Sequence, residues 1–482
     1  MAFLNMQGIS LAFIGVKIFD EVNLTIERGE KVGLVGRNAS GKTTLLRLIE
    51  GSVKPDSGVV SFQKGIRTAY LSQEVPNDLP GTVFDVVASG SREYVDLSTR
   101  NPSPSTRLLH EGTPPLREEL DRIHDNLDTE GVWYKREQVN KSLSQLGLDT
   151  DRDFRSLSAG LKRQVLLTKA LVSEPDILLL DEPSNHMDID SIKELEQMMA
   201  QFAGAIIFVT HDRMFLQKIA TRIIEIDRGR LFDQTCDYET FLVRRDANRD
   251  AEETKNALFD RKLKQEEHWV REGIKARRTR NEGRVRELVK MREMRSSRRD
   301  RPKNVKMEVQ EAERSGTLVA KADNIGFNYG DTQVISQFSA TILKGDRIGI
   351  LGPNGSGKTT LLRLLLGMLV PANGTIRLGS NLQISYSDQL LEQLDESKTA
   401  IETIGDGSDT VTVNGKSRHI FGYLQDFLFS PDQARSLVSG FSGGERKRLM
   451  LARLFTQPSN LLVLDEPTND LDIETLDLLE GL

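Results

Sequence analysis

Cysteine is almost absent from this chain of 482 residues. Cys236 stands alone, so no intrachain disulfide can form, and the composition suits a reducing compartment. Long apolar runs are absent too. "DILLLD" and "AIIFVT" are strand-length, and Arg363 interrupts "LLRLLLGMLV". None approaches the roughly 20 residues a membrane span needs. No basic start, apolar run and small-residue cleavage site open the chain. These absences exclude a disulfide scaffold and a spanning protein, and the expectation is a soluble, cytoplasmic chain. Hydrophobic residues at 38% suffice for ordinary cores, which excludes disordered and fibrous classes. The length is a prior for about three domains at roughly 150 residues each.

What is present is first of all an uneven charge. The chain is acidic, with a formal net charge of −6. Yet residues 261–306 hold eighteen Lys and Arg against seven Asp and Glu. The stretch "KARRTRNEGRVREL" (275–288) alone carries six basic side chains: Lys275, Arg277, Arg278, Arg280, Arg284 and Arg286.

The second presence is a repeat. "GRNASGKTTLLRLIEG" (36–51) and "GPNGSGKTTLLRLLLG" (352–367) are one motif written twice, with Lys42 and Lys358 316 positions apart. "ILLLDEPSNHMDI" (177–189) and "LLVLDEPTNDLDI" (461–473) form a second pair, but only 284 apart. Gln73 and Gln389 each follow their lysine by 31, and Ser158 and Ser442 each precede their aspartate by 23. The surplus of the first copy therefore lies between Gln73 and Ser158, at about 90–135. There a Pro/Ser-rich opening precedes Leu116, Leu120, Ile123 and Leu127 at helix spacing. An inserted helical arm is the simplest reading.

G-x-x-x-x-G-K-[ST] is a P-loop, whose glycines let successive N–H groups turn inward on phosphate oxygens. The first candidate phosphate cradle is Gly36, Arg37, Asn38, Ala39, Ser40, Gly41, Lys42, Thr43 and Thr44. The second is Gly352, Pro353, Asn354, Gly355, Ser356, Gly357, Lys358, Thr359 and Thr360. Each follows an apolar strand ("KVGLVG", "RIGILG") and opens a leucine-rich helix whose positive end favours an anion. Two such matches point to two nucleotide sites. Lys42 and Lys358 suit the β/γ-phosphates, and Thr43 and Thr359 suit Mg²⁺. Asp181 and Asp465 end apolar strands and suit the same metal shell. Glu182 and Glu466, one residue on, face elsewhere and suit activation of water.

"FSGGERKR" (441–448) would cap a helix with Ser442, Gly443 and Gly444 and aim N–H groups at a γ-phosphate. Ser158, Ala159 and Gly160 are the first copy's version. A plain N-cap is the alternative for either, but both precede the strand aspartate by the same interval. His211 closes "IIFVTHDR", 30 residues after Asp181, where a strand-end histidine would sense charge; the same interval from Asp465 falls past Leu482. The second copy is therefore expected to be C-terminally truncated before its sensor strand. Phe13 and Tyr329 each precede their lysine by 29 and are candidates to stack on adenine, with core packing the alternative.

Between the copies, Phe259, Leu263, Val270 and Ile274 recur at helix spacing, and Val285, Leu288, Met291 and Met294 resume it after Gly283. The interruption favours a helical hairpin turning near 280–283 over one long solvated helix. The expected layout is α/β: a first P-loop NTPase domain over 1–245, a charged α-helical hairpin linker over 246–310, and a second NTPase domain over 317–482.

Together these motifs resemble ATP-binding-cassette (ABC) ATPases over nearly the whole chain. Two cassettes without a membrane domain, an arm in the first and a charged hairpin between them resemble the soluble ABC-F proteins. The linker text "FDRKLKQEEHWVREGIKARRTRNEGRVREL" is most similar to the Uup-type branch. The resemblance implies an ATP-driven clamp that closes head to tail over two ATPs with Mg²⁺. Site one would join Lys42, Thr43, Gln73, Asp181, Glu182 and His211 to Ser442, Gly443 and Gly444. Site two would join Lys358, Thr359, Gln389, Asp465 and Glu466 to Ser158, Ala159 and Gly160. It also implies work on the ribosome, or on branched DNA in repair; an ATPase subunit of a transporter fits poorly with a fused pair and a basic linker. Three departures stand out: Ala39 where the second P-loop has Gly355, S-A-G-L at the first signature, and the missing second histidine. The last two fall on site two, so either site one is expected to hydrolyse and site two mainly to bind, or neither is expected to turn over efficiently.

Overall fold

The structure is a computed structural model. It describes residues 2–13, 16–38, 40–76, 78–91, 149–272, 278–297, 316–386, 394–405, 407–413, 416–467, 471 and 473–480, with a few helical residues between 137 and 144. The proposed arm over 90–135 lies almost wholly outside them, as do Ala39, Gln389, Lys275 and Arg277.

The first half opens with a three-stranded antiparallel sheet. Strand β1 (Ala2–Phe13) lies between β2 (Val16–Glu27) and β4 (Ser57–Phe62). The main sheet has the order β5-β6-β7-β3-β8-β9, built from β3 (Lys31–Val35), β5 (Thr68–Leu71), β6 (Ile177–Asp181), β7 (Ala205–Val209), β8 (Arg222–Asp227) and β9 (Arg230–Gln234). All neighbours run parallel except β8 with β9. A parallel sheet covered on both faces calls for unbroken apolar strands, and ILLLD and AIIFV are buried at every position. The helix Lys42–Glu50 sends Leu45, Leu46, Leu48 and Ile49 into this core and stops at Gly51, whose left-handed conformation returns its N–H to the Arg47 carbonyl. Each such buried aliphatic contributes about 1.5–3 kcal/mol of transfer free energy.

In the second half, β10 (Leu318–Tyr329) pairs with β11 (Thr332–Leu343) and β12 (Asn373–Leu378). β13 (Ile384–Tyr386) runs parallel to β16 (Leu461–Val463), and a small hairpin joins β14 (Thr410–Val413) to β15 (Lys416–His419). One expectation fails here. The "RIGIL" segment before the second P-loop forms no ladder. Its counterpart β3 is held between β7 and β8, and among the described residues the second half offers no strands in those two roles. The consequence is exposure: Leu351 is 83% exposed where Val35 is 5%.

Two helices join the halves, Tyr238–Glu272 and Arg278–Ser297. Leu263, Leu288 and Met291 are buried between them, with Phe259 and Val270 packed alongside. Arg292 to Glu267 (2.9 Å) and Arg295 to Asp260 (3.1 Å) add ion pairs across the contact. The turn does not fall at 280–283, which are helical; residues 273–277, between the two helices, lie outside the described residues. A lone glycine such as Gly283 costs a helix only about 1 kcal/mol, which surrounding Arg and Glu tolerate. Met294 is exposed and does not continue the buried stripe.

Candidate functional site: two composite nucleotide sites

Both P-loops rest on a glycine that has no substitute. Gly41 (φ +103°) and Gly357 (φ +92°) precede their helices in the left-handed region, and a Cβ would stand 2.7 Å from Ile18 Cγ2 or 2.5 Å from Val334 Cγ1. The lysines behave alike. Lys42 Nζ donates to the carbonyls of Gly36 (2.7 Å) and Arg37 (3.0 Å), and Lys358 Nζ to those of Gly352 (2.8 Å) and Pro353 (3.0 Å). Each ammonium thus spans the loop where phosphates would lie.

Asp181 ends β6, Asp465 lies two residues past β16, and each faces the threonine that follows its P-loop lysine. Thr43 hydrogen-bonds Asp181, and Thr359 Oγ1 donates to Asp465 Oδ2 at 2.8 Å. Tyr70 and Tyr386 add hydroxyl donors to Asp181 Oδ2 and Asp465 Oδ2, both at 3.4 Å. Sequence reasoning missed this tyrosine pair, although each member follows its P-loop lysine by 28 residues. Burial, and then the neighbouring Asp181, push the Tyr70 hydroxyl up to about 12, so it remains a donor. Burial also raises Asp181 above the usual carboxylate range, against the pull of Thr43 and Lys42. Asp181 Oδ1 is buried without a hydrogen-bond partner. An orphaned carboxylate oxygen beside a threonine hydroxyl fits a divalent cation that completes its shell with phosphate and water.

Glu182 and Glu466 both adopt left-handed backbone, at φ +51° and +45°. A non-glycine there stores strain that recurs at functional sites. The turn swings each carboxylate away from its aspartate. Glu182 is buried, its N–H bonds the Val209 carbonyl (2.9 Å), and its Oε1 lies 3.1 Å from His211 Nε2 just past β7. Behind it sits Arg163, fully buried on the helix Ala159–Val172. Its guanidinium donates to the carbonyls of Asp181 (2.6 Å), Glu182, Pro183 (3.2 Å) and Gln73 (2.9 Å). This clamp ties the Asp181–Pro183 turn and the Gln73 loop to the helix behind the first signature. Carbonyls have no residue identity, so no sequence pattern marked it.

The two signatures reach the opposite P-loops. A cleft of ≈ 340 Å³ is lined by Asn38, Gly41, Lys42, Thr43, Thr44, Gln73, Asp181, Glu182 and His211 together with Ser442, Gly443 and Gly444. Ser442 caps the helix Gly443–Thr456 in a reciprocal box: the Glu445 N–H donates to Ser442 Oγ, and the Ser442 N–H donates to Glu445 Oε2 (2.9 Å). Ser158 accepts from the Leu161 N–H at 3.4 Å, and Leu161 returns nothing. On that side Gly160 packs so closely on the second P-loop that a Cβ would meet Asn354 Nδ2 at 2.9 Å. Asn354 in turn donates its N–H to Asp188 Oδ2 (3.0 Å) and its amide to the His186 carbonyl (2.7 Å).

Phe13 and Tyr329 end β1 and β10 about half exposed, and Phe13 is not among the residues lining the first cleft. Tyr329 packs edge-on against Phe327. Arg278, Arg280, Arg284 and Arg286 lie on the helix Arg278–Ser297, and Arg286 is exposed. A larger cleft of ≈ 910 Å³ at the root of the linker holds none of the motif residues, and Arg228 and Arg249 in it are paired with Glu252 and Glu225.

Two P-loops, each facing a signature helix from the other half, define an ATPase of the twin-cassette ABC class. The family model described as "ABC transporter" matches residues 19–185 and again 335–469, and a second model with the same description matches 224–307. The ATP-binding protein Uup of Escherichia coli (strain K12) is 45% identical over 482 residues, which is all of this chain and 76% of that protein. Uup of Haemophilus influenzae is 43% identical over the same length, covering 74% of that protein. The energy-dependent translational throttle protein EttA of Mycobacterium tuberculosis is 35% identical over 471 residues, 96% of this chain and 83% of that one. The chain belongs to the ABC-F ATPases, in the Uup-type branch.

Proposed function

We propose that this ATPase clamps on a nucleic-acid machine, most directly the ribosome, and uses the basic linker as the contact. The observation that carries the reading is the charge excess of residues 261–306 in an otherwise acidic chain. Phosphate binding by Lys and Arg is independent of sequence and supplies affinity for RNA or DNA. The relative whose name declares a role in translation supports the ribosome as the partner. Mg²⁺ would be held by Thr43 with Asp181 and by Thr359 with Asp465; when bound, it would neutralise charge on the β- and γ-phosphates. Lys42 and Lys358 orient those phosphates, Gln73 and Gln389 reach the attacking water, and Glu182 or Glu466 takes its proton while His211 holds Glu182 in place. Lys275, Arg277, Arg278, Arg280, Arg284 and Arg286 contact the nucleic acid.

The sites are unequal in this reading. Site one has a buried, histidine-held Glu182 and a boxed signature; site two has a half-exposed Glu466 and the weaker S-A-G-L cap. Site one hydrolyses the faster and site two chiefly binds. Co-sedimentation with ribosomes under ATP, using the double Glu182→Gln/Glu466→Gln variant, tests the partner. Salt-sensitive pelleting with ribosomes supports the reading. Failure to pellet, alongside tight binding to branched DNA, replaces it with a DNA-repair clamp.

A further inference from the structure

Tyr70 and Tyr386 stand at one place in the two copies, three residues before Gln73 and Gln389. Strand register sets both beside an aspartate. Tyr70 on β5 pairs with Leu179 of β6, and Tyr386 on β13 pairs with Val463 of β16. Asp181 and Asp465 lie two positions further on, and a step of two returns a side chain to the same face of a sheet. Each hydroxyl then meets Oδ2 of its aspartate at 3.4 Å. In the second copy Thr359 donates to that same oxygen. In the first, the other oxygen, Asp181 Oδ1, is buried with no hydrogen-bond partner. Arg47, on the helix Lys42–Glu50, hydrogen-bonds the Tyr70 side chain. An arginine only donates, so the phenol proton is left to point at Asp181. Arg363 stands at the corresponding position of the second copy, five residues after Lys358.

We propose that Tyr70 and Tyr386 are positioning residues for the metal: each holds Oδ2 of its aspartate, so that the carboxylate presents a fixed face to the divalent cation of its site. The inference rests on the reading of Thr43 with Asp181, and of Thr359 with Asp465, as the Mg²⁺-binding pairs. An aspartate's terminal torsion is broad, and an unrestrained carboxylate samples many orientations. A donor on Oδ2 removes that freedom. At Asp181 it leaves Oδ1 to face the cation, directly or through one of the waters that Mg²⁺ retains. Burial keeps the Tyr70 hydroxyl protonated, as a donor must be. Groups that hold a ligand without touching the metal carry much of its affinity, and losing one costs about 10–100-fold.

Hydroxyl and ring can be separated experimentally. Phenylalanine removes the oxygen and keeps the ring, which packs on the first core at Tyr70 and beside Leu366 and Val463 at Tyr386. Tyr70→Phe, Tyr386→Phe and the double variant are titrated with the non-hydrolysable analogue AMP-PNP, once in EDTA and once with Mn²⁺. Bound Mn²⁺ is read by electron paramagnetic resonance. The parent is expected to bind the analogue more tightly with Mn²⁺ than in EDTA. Each single variant should raise the Mn²⁺ midpoint of one site about tenfold, and the double variant that of both, with affinity in EDTA held within about twofold. A purely structural role would weaken binding alike in both conditions. The proposal is overturned by an unchanged Mn²⁺ midpoint, by a lowered one, or by a loss in EDTA that matches the loss with Mn²⁺. A parent that gains no affinity from Mn²⁺ contradicts the reading of the metal-binding pairs and the proposal with it. Unaltered variants beside a parent that does gain contradict the proposal alone. A failed co-sedimentation with ribosomes bears on neither.

Discussion

Asp181 shows how a single residue trades stability for chemistry. Its folded-state pKa lies above the unfolded value of 3.8, so the native state binds the extra proton between those two pKa values, and stability falls as pH rises through that window. Asp181→Asn removes the buried charge, keeps an acceptor for Tyr70 and should flatten this dependence. The nucleotide-free variant is expected to melt about 2–4 °C higher, roughly 1 kcal/mol for a domain of this size, while MgATP hydrolysis at site one disappears. A melting temperature below that of the parent at neutral pH would show that burial is not a cost here. Arg163 is the opposite case. Four carbonyls depend on it, and stranding buried polar groups costs about 1–3 kcal/mol each before relaxation. Arg163→Met should therefore lower the thermal midpoint of the first cassette by more than Arg163→Lys, which retains part of the donor set. Equal midpoints would contradict the clamp.

At the scale of the element, the two signature helices differ in one residue that decides their caps. Glu445 closes a box with Ser442, whereas Leu161 returns no bond and leaves Ser158 with a single cap bond of the same 3.4 Å length. Ser442→Ala should cost about 1 kcal/mol of helix stability and weaken ATP binding at site one; Ser158→Ala should cost less and act on site two. Nucleotide titrations of both variants check the ordering, and a larger effect of Ser158→Ala would reverse it. These elements were largely legible. Glycine, lysine and paired carboxylates at fixed intervals carry their chemistry in their identities, and the 316- and 284-residue offsets located both copies. Partners that are backbone atoms, as for Arg163, or that come from the other cassette, as for His186, leave no local pattern. The second P-loop strand failed for a related reason. An apolar pentapeptide announces a strand, but only neighbours at β7- and β8-like positions make one. The linker turn was misplaced because an interrupted apolar stripe does not by itself end a helix, and 280–283 stay helical.

The whole molecule places two ATP sites and one basic arm in a single closed circuit. Each site borrows a signature from the other half, so closure is the condition for a complete site, and the linker joins the halves at its root. Its charge makes a quantitative demand. If Arg286 contacts a phosphate, Arg286→Ala should weaken nucleic-acid binding across sequences and reduce the slope of log K against log salt by about 1; an unchanged slope would mean that it faces solvent. The asymmetry of the two sites is the account's central claim, and steady-state ATPase activity of Glu182→Gln beside Glu466→Gln tests it most directly. The account predicts that Glu182→Gln removes most of the turnover and Glu466→Gln spares most of it. Loss in Glu466→Gln with activity retained in Glu182→Gln would contradict it.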